Sequence, residues 1–317
     1  MPSSKLTALV AFDDANEVVE GLRAQTRDIE LHAVTDPLQL PTTLERLQPN
    51  VVFSIKGPIF SAKHHKPIMD FPTVKWVEIG GSGYDHLHPW NRERLTVTNC
   101  AGILAPYLAE TAMGALLTLN GNLLTYADQQ RSRTWEQHQF RPLSEQTILI
   151  VGLGRIGQNL AKLAKAFGMR VLAIRRKQES HPAVDLLASP DELDHLLVQA
   201  DVVSIHLRLR PDTKHLFDGR TLSKMKPNAI LLNTSRGAIV QESDLIEALT
   251  SGHLRGAYLD VFEQEPLPID SQLWNIPNVL ITPHCSDNIH GWHLKFADHF
   301  AENLSRFVGG EKLHNLI

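Results

Sequence analysis

The stretch Thr147-Ile-Leu-Ile-Val-Gly152-Leu-Gly154-Arg-Ile-Gly157 constrains this chain more than any other. Five apolar or β-branched residues, Thr147 to Val151, read as a buried strand, and Gly152, Gly154 and Gly157 follow in the spacing G-x-G-x-x-G. An apolar-periodic helix through Ile156, Leu160, Leu163, Ala164 and Phe167 stops at Gly168, and a second buried strand runs from Val171 to Ile174. Strand, glycine turn, helix and strand together form a βαβ unit with a dinucleotide fingerprint. The first glycine permits a tight turn, the second lets backbone approach a pyrophosphate, and the third lets helix and strand pack closely. The helix N-terminus then offers free N–H groups to the phosphates.

The rest of the chain repeats the alternation. Strands are expected over residues 5–12, 29–34, 51–55, 74–79 and 95–98, with helices capped by Asp13 or Asp14 through Leu22 and over 41–47. Residues 105–120 read as an apolar, buried helix, and residues 128–145 as a polar connection containing Trp135, Phe140 and Pro142. After the fingerprint come helix 190–198, strands 201–207, 229–233, 256–259 and 279–282, helix 242–250 and a last amphipathic helix over 292–308. Such alternation predicts parallel α/β sheets. The expected division is a smaller α/β domain over 1–99, a Rossmann-type doubly wound nucleotide domain over 100–287, and a terminal helix over 288–317.

Composition narrows the function classes. The chain of 317 residues is 43% hydrophobic and 21% charged, with a net charge of −4 and no long basic run, which argues against nucleic-acid binding. Two cysteines, Cys100 and Cys285, make neither a disulfide framework nor a thiolate metal site. The start MPSSKLTALVAF lacks a signal-peptide cleavage pattern, and no apolar stretch is long enough to span a bilayer. A cytoplasmic enzyme without membrane or nucleic-acid partners is the expectation.

In a parallel sheet, ligands bind beyond the carboxyl ends of the strands. Arg236, Asp260, Glu265 and His284 all fall at or soon after such ends. A lone histidine after a strand is more often structural, and the chain has 16; the combination of a cation, two acids and an imidazole carries the argument. It suits reversible hydride transfer to a 2-keto acid. Arg236 offers a planar fork to the substrate carboxylate. His284 can protonate the carbonyl oxygen, with Glu265 orienting it and favouring its charged form. Asp260 is placed to accept from a nicotinamide carboxamide. His64, His65, His290 and His293 lack the supporting acids of a metal site, so no metal is assigned.

At these residues the chain resembles the D-isomer-specific 2-hydroxyacid dehydrogenases. The resemblance covers most of residues 97–286 and rests on VTNCAG, VGLGRIGQNLAKLAKAFGM, LLNTSRGAIV, GAYLDVFEQEPLP and NVLITPH; GGSGYDHL is similar to the family's carboxylate-binding loop. It implies two α/β domains, the smaller flavodoxin-like, with the cofactor between them and a homodimer formed through the nucleotide domain. It implies Arg236, Glu265 and His284 as the catalytic set, and Gly81, Ser82 and Gly83 as further holders of the substrate carboxylate. Together with the fingerprint and the strand ends, the expected cofactor contacts are Gly152, Gly154, Arg155, Ile156, Gly157, Arg175, Arg176, Leu207, Arg208, Thr213, Thr234 and Asp260. Reduction of glyoxylate or hydroxypyruvate is the expected reaction. A phosphoglycerate dehydrogenase and a nucleotide-sensing corepressor are the alternatives.

Three departures stand out. Arg175 and Arg176 occupy the place where an acid often ends the second Rossmann strand, which favours NADP over NAD. Arg208 and Arg210 replace the usual proline and threonine. Cys285-Ser286-Asp287 follows the histidine in place of a small apolar run, leaving the pocket wall open. Glu265 argues against the formate dehydrogenase branch, which uses glutamine. Trp135 is expected either to reach a neighbouring subunit or to pack on its own domain.

Overall fold

A computed structural model describes residues 6–23, 26, 29–57, 59–87 and 89–317. The chain forms two compact units, Met1–Leu104 with Ile289–Ile317, and Ala105–Asn288. Among the described residues no helix is long and apolar enough to cross a membrane.

The first unit holds strands β1 (Leu6–Ala11), β2 (Ile29–Val34), β3 (Val51–Ser54), β4 (Trp76–Ile79) and β5 (Thr96–Asn99). They form an all-parallel sheet in the order β2-β1-β3-β4-β5, the flavodoxin-like order. Lys5, expected in the first strand, lies outside the described residues. Helix α1 spans Ala15–Arg23, but Asp13 does not cap it. Its carboxylate accepts from the N–H groups of Ile59 and Phe60, tying down a distant loop. Helices α2 (Leu40–Leu47) and α3 (His65–Asp70) bring Leu40, Leu44, Ile68 and Met69 into one core with Leu9, Val52 and Val77. The terminal helix, Trp292–Val308, packs on α1 and brings Phe300 against Phe53 and Trp76.

Glu78 is fully buried in β4 and its carboxylate is well supplied with donors. Thr98 Oγ1, Asn303 Nδ2 and His299 Nδ1 meet it at 2.9, 2.7 and 3.0 Å. With Cys100 and His299 it forms a group of three possible metal donors. Its hydrogen bonds instead fasten the terminal helix to the sheet, since a buried carboxylate must be paired. His293, expected to lack an acid, faces Glu17 at 2.8 Å.

The second unit holds β6 (Thr147–Val151), β7 (Arg170–Ile174), β8 (Leu186–Ala188), β9 (Val202–Ile205), β10 (Ala229–Asn233), β11 (Leu254–Leu259) and β12 (Val279–Ile281). These are parallel throughout, in the order β12-β11-β10-β9-β6-β7-β8. Period-two alternation sends Ile148 and Ile150 to one face, against α4 (Ala105–Asn120) and α6 (Arg155–Ala166). Leu149 and Val151 go to the other, against Leu196, Leu222 and Leu245 of α7 (Leu193–Leu197), α8 (Gly219–Ser223) and α9 (Glu242–Thr250). Both faces are covered, which is why the strands read as unbroken apolar runs. The expected connection over 128–145 is partly helical, because α5 spans Leu123–Ser132; the last helix of the chain is thus α10.

His65 is 1% exposed, with Nε2 3.2 Å from Ser54 Oγ. Burial, then the neighbouring His86, lowers its pKa from 6.5 to about 4. The folded imidazole is therefore neutral, while the unfolded one takes a proton near pH 6.5. This contribution to stability is fully present above pH 6.5 and is lost as pH falls to about 4, amounting to roughly 3 kcal/mol at most. Denaturant titrations across that window should show His65→Gln losing less stability on acidification than the native chain; parallel slopes would contradict this.

Candidate active site and dinucleotide site

The β6–β9 neighbourhood is the switch point of the second sheet: β7 and β8 extend to one side, β9 to β12 to the other. Ligands of doubly wound sheets bind at such a point. Gly152 leaves β6 with φ 106°, and a Cβ there would stand 2.6 Å from the carbonyl oxygen of His206 at the end of β9. A Cβ on Gly157 would meet Gly152 O at 2.5 Å, whereas Gly154 faces open space. The three glycines thus divide the work as the fingerprint requires: tight turn, free approach and close helix packing. Gly154 is the N-cap of α6, and Arg155 and Ile156 begin its first turn.

The ring of loops around this point fits a dinucleotide. Leu207 packs beside Gly152. Thr213 closes the next loop, donating to Arg208 O at 2.7 Å and accepting from Arg210 N–H at 2.8 Å. Thr234, after β10, has a buried hydroxyl with no hydrogen-bond partner among the described residues, an orphan that a ligand would satisfy. Past β7, Arg175 pairs with Glu179 at 3.1 Å, and Arg176 pairs with Asp212. Lys177, then Arg175, holds the Glu179 carboxyl below the usual range.

The loops after β10, β11 and β12 carry the other polar groups. His284 Nδ1 lies 2.7 Å from Glu265 Oε2, while Glu265 Oε1 accepts from Phe262 N–H at 3.1 Å. With Nδ1 committed, Nε2 is the ring nitrogen available to a ligand, and the side chain is 46% exposed. Arg236 is fixed through its backbone, whose carbonyl accepts from Asn233 Nδ2 at 3.1 Å; its Nη1 donates to Ser235 O at 2.7 Å. Gly237 lets this loop meet the Glu265 loop. A Cβ there would fall 1.9 Å from the carbonyl carbon of Phe262, so no side chain fits. Glu265 and His284 are thus brought together, and Arg236 lies within charge–charge range of the same loop.

Asp260 is 1% exposed and its carboxylate points into the chain rather than outward. It accepts from Thr282 Oγ1 at 2.6 Å, Cys285 N–H at 2.9 Å, Ser286 N–H at 3.2 Å and Ser286 Oγ at 2.6 Å. Its backbone carbonyl takes the His284 N–H at 2.8 Å. His284 is thereby held at φ 50°, a region a non-glycine residue rarely enters. Sequence reasoning missed this role, and it missed Gly237 and His206 altogether. Burial lowers the His206 pKa from 6.5 to about 4, so the ring is neutral; its Nε2 lies 2.8 Å from Ser204 Oγ, and it is the His206 backbone carbonyl that stands beside Gly152. Gly81, Ser82 and Gly83 follow β4 in the other unit; Gly81 has φ 78°, and Ser82 O accepts from Asn99 Nδ2 at 3.0 Å.

A profile of the D-isomer specific 2-hydroxyacid dehydrogenase, NAD binding domain, matches residues 113–286. The chain belongs to this family. It is accordingly an oxidoreductase with a nicotinamide-dinucleotide domain. Glyoxylate reductase of Thermococcus litoralis is 35% identical over 257 residues, 78% of this chain and 77% of that one. A D-isomer specific 2-hydroxyacid dehydrogenase family protein from Aeromonas salmonicida superposes with a TM-score of 0.88 at 32% identity, covering 99% of each chain. The NADPH-dependent glyoxylate/hydroxypyruvate reductase of Sinorhizobium meliloti, solved with NADP and sulfate, has a TM-score of 0.81 at 25% identity, covering 99% of this chain and 98% of its own.

Proposed function

We propose that this dehydrogenase reduces small 2-keto acids, glyoxylate or hydroxypyruvate, with NADPH as the preferred donor and NADH as a possible one. The observation that carries the proposal is the 2.7 Å contact between His284 Nδ1 and Glu265. The bound dihydronicotinamide supplies the hydride to the carbonyl carbon. His284 gives the proton to the carbonyl oxygen through Nε2, so ketone, hydride and proton sum to the 2-hydroxy acid. Glu265 keeps the ring oriented through its contact with Nδ1. Arg236 holds the substrate carboxylate with paired donors, which a lysine would not reproduce. The names of the Thermococcus and Sinorhizobium relatives support this substrate range.

Arg175 and Arg176 support the cofactor choice. Each guanidinium faces a carboxylate, Glu179 or Asp212, that a 2′-phosphate would replace. A phosphate offers more charge and more acceptor oxygens than either carboxylate. The Sinorhizobium relative is named NADPH-dependent, which agrees. The assembly is a homodimer through the nucleotide domain, for which Trp135 at 97% exposure, Phe140 and Leu123 supply apolar surface. Sedimentation of a dilute sample as monomer alone would remove that part.

Turnover of glyoxylate and hydroxypyruvate with each cofactor tests the rest. The native chain should favour NADPH in kcat/KM. Arg175→Ala should lower NADPH use about ten-fold or more and leave NADH within a few-fold. His284→Ala should lower kcat by about 10²–10⁴-fold. A preference for NADH, or an Arg175→Ala protein with unchanged NADPH use, would remove the cofactor assignment. Near-normal turnover by His284→Ala would remove the acid.

A further inference from the structure

We propose that Asp287 selects the substrate side chain: its carboxylate accepts a hydrogen bond from the 3-hydroxyl of a hydroxymethyl keto acid such as hydroxypyruvate and repels a second carboxylate. The inference rests on the 2-keto acid reading above. Asp287 stands three residues after His284, in a turn closed by Asn288 N–H on Cys285 O at 2.9 Å. The turn is held firmly. Asp260 grips the two preceding residues, and Thr111 Oγ1 donates to Ser286 O at 3.0 Å. The half-buried Asp287 carboxylate lies within charge–charge range of His284, Asp260 and Arg236. Beyond its own backbone N–H it takes part in no hydrogen bond or ion pair among the described residues. Burial raises its pKa, and the positive charges of His284 and Arg236 pull it back.

The carbonyl carbon of a 2-keto acid bears an oxygen, a carboxylate and one further group. His284 serves the oxygen and Arg236 the carboxylate. Among the described residues Asp287 is a further polar group within charge–charge range of both, and it is the one we set against the third substituent. A hydroxymethyl group there can donate a hydrogen bond to a carboxylate that otherwise has only its own backbone N–H. The hydrogen of glyoxylate leaves the carboxylate unmatched. A methyl group takes water away from a half-buried acid and returns nothing. A carboxymethyl group brings like charge, the repulsive element on which discrimination often depends.

The test is kcat/KM with NADPH for hydroxypyruvate, pyruvate and oxaloacetate in the native chain, Asp287→Ala and Asp287→Asn. A hydrogen bond to a charged group makes a native preference for hydroxypyruvate over pyruvate of about ten-fold or more. Asp287→Ala should cut that ratio about ten-fold, mainly through KM. Asp287→Asn keeps size and an acceptor oxygen but loses the charge. It should raise oxaloacetate relative to hydroxypyruvate about five-fold or more, and it decides alone if the alanine variant does not fold. Variants that scale all three substrates by one common factor would overturn the assignment while leaving the 2-keto acid reading intact. A native chain that reduces none of the three would overturn this inference, and one that fails on glyoxylate as well would overturn the 2-keto acid reading with it.

Discussion

The carboxylate of Asp260 is the fastening on which the reactive edge of this protein depends. It is buried at the end of β11, where an unpaired charge would cost several kcal/mol. Four donors from one short stretch, Thr282 to Ser286, remove that cost. In satisfying the charge, the chain has to wrap around it. That wrapping sets His284 at a left-handed φ of 50°, at an expense of about 1–3 kcal/mol that the hydrogen bonds outweigh. Tyr258 extends the arrangement by placing its hydroxyl 2.9 Å from Thr282 Oγ1, and burial pushes the phenol up to about 12, so it stays neutral.

The same edge is crowded enough that backbone shape becomes a chemical constraint. Gly237 and Gly152 lie where loops from adjacent strands come within van der Waals distance of one another. At Gly237 the neighbour is the carbonyl of Phe262, just before Glu265. The loop that presents Arg236 and the loop that presents the carboxylate partner of His284 are therefore positioned against each other by contact. A rigid scaffold beneath them follows from the sheet, whose strands from β6 to β11 bury apolar side chains on both faces.

Much of this was legible in the sequence, for definable reasons. The β6–α6–β7 unit announces itself because a short apolar run, three spaced glycines and a 3.6-residue period coincide in Thr147–Ile174. Arg236, Glu265 and His284 could be picked out because strand ends in a parallel sheet share one edge. Helix α5 was missed because LLTYADQQRS buries none of its residues, so no apolar stripe marks it. Strand β8 is three residues long, too short for a periodic signal. Asp13 has the composition of a cap, yet its acceptors serve N–H groups 46 and 47 residues away. The inward role of Asp260 was hidden for a similar reason: two of its four donors are backbone N–H groups, which every residue type but proline carries.

The central claim is that Asp260 acts by holding the His284 loop. Substituting Asp260→Asn tests it most directly, with kcat/KM for keto acid reduction and the dissociation constant for NADPH measured on the same preparation. Asparagine keeps the shape but turns one acceptor into a donor facing N–H groups. Leaving such bonds unmade costs about 1–3 kcal/mol. The account predicts that kcat/KM falls about ten- to a hundred-fold while NADPH binds within a few-fold of the native affinity. Native turnover, or a loss confined to NADPH affinity, would contradict it.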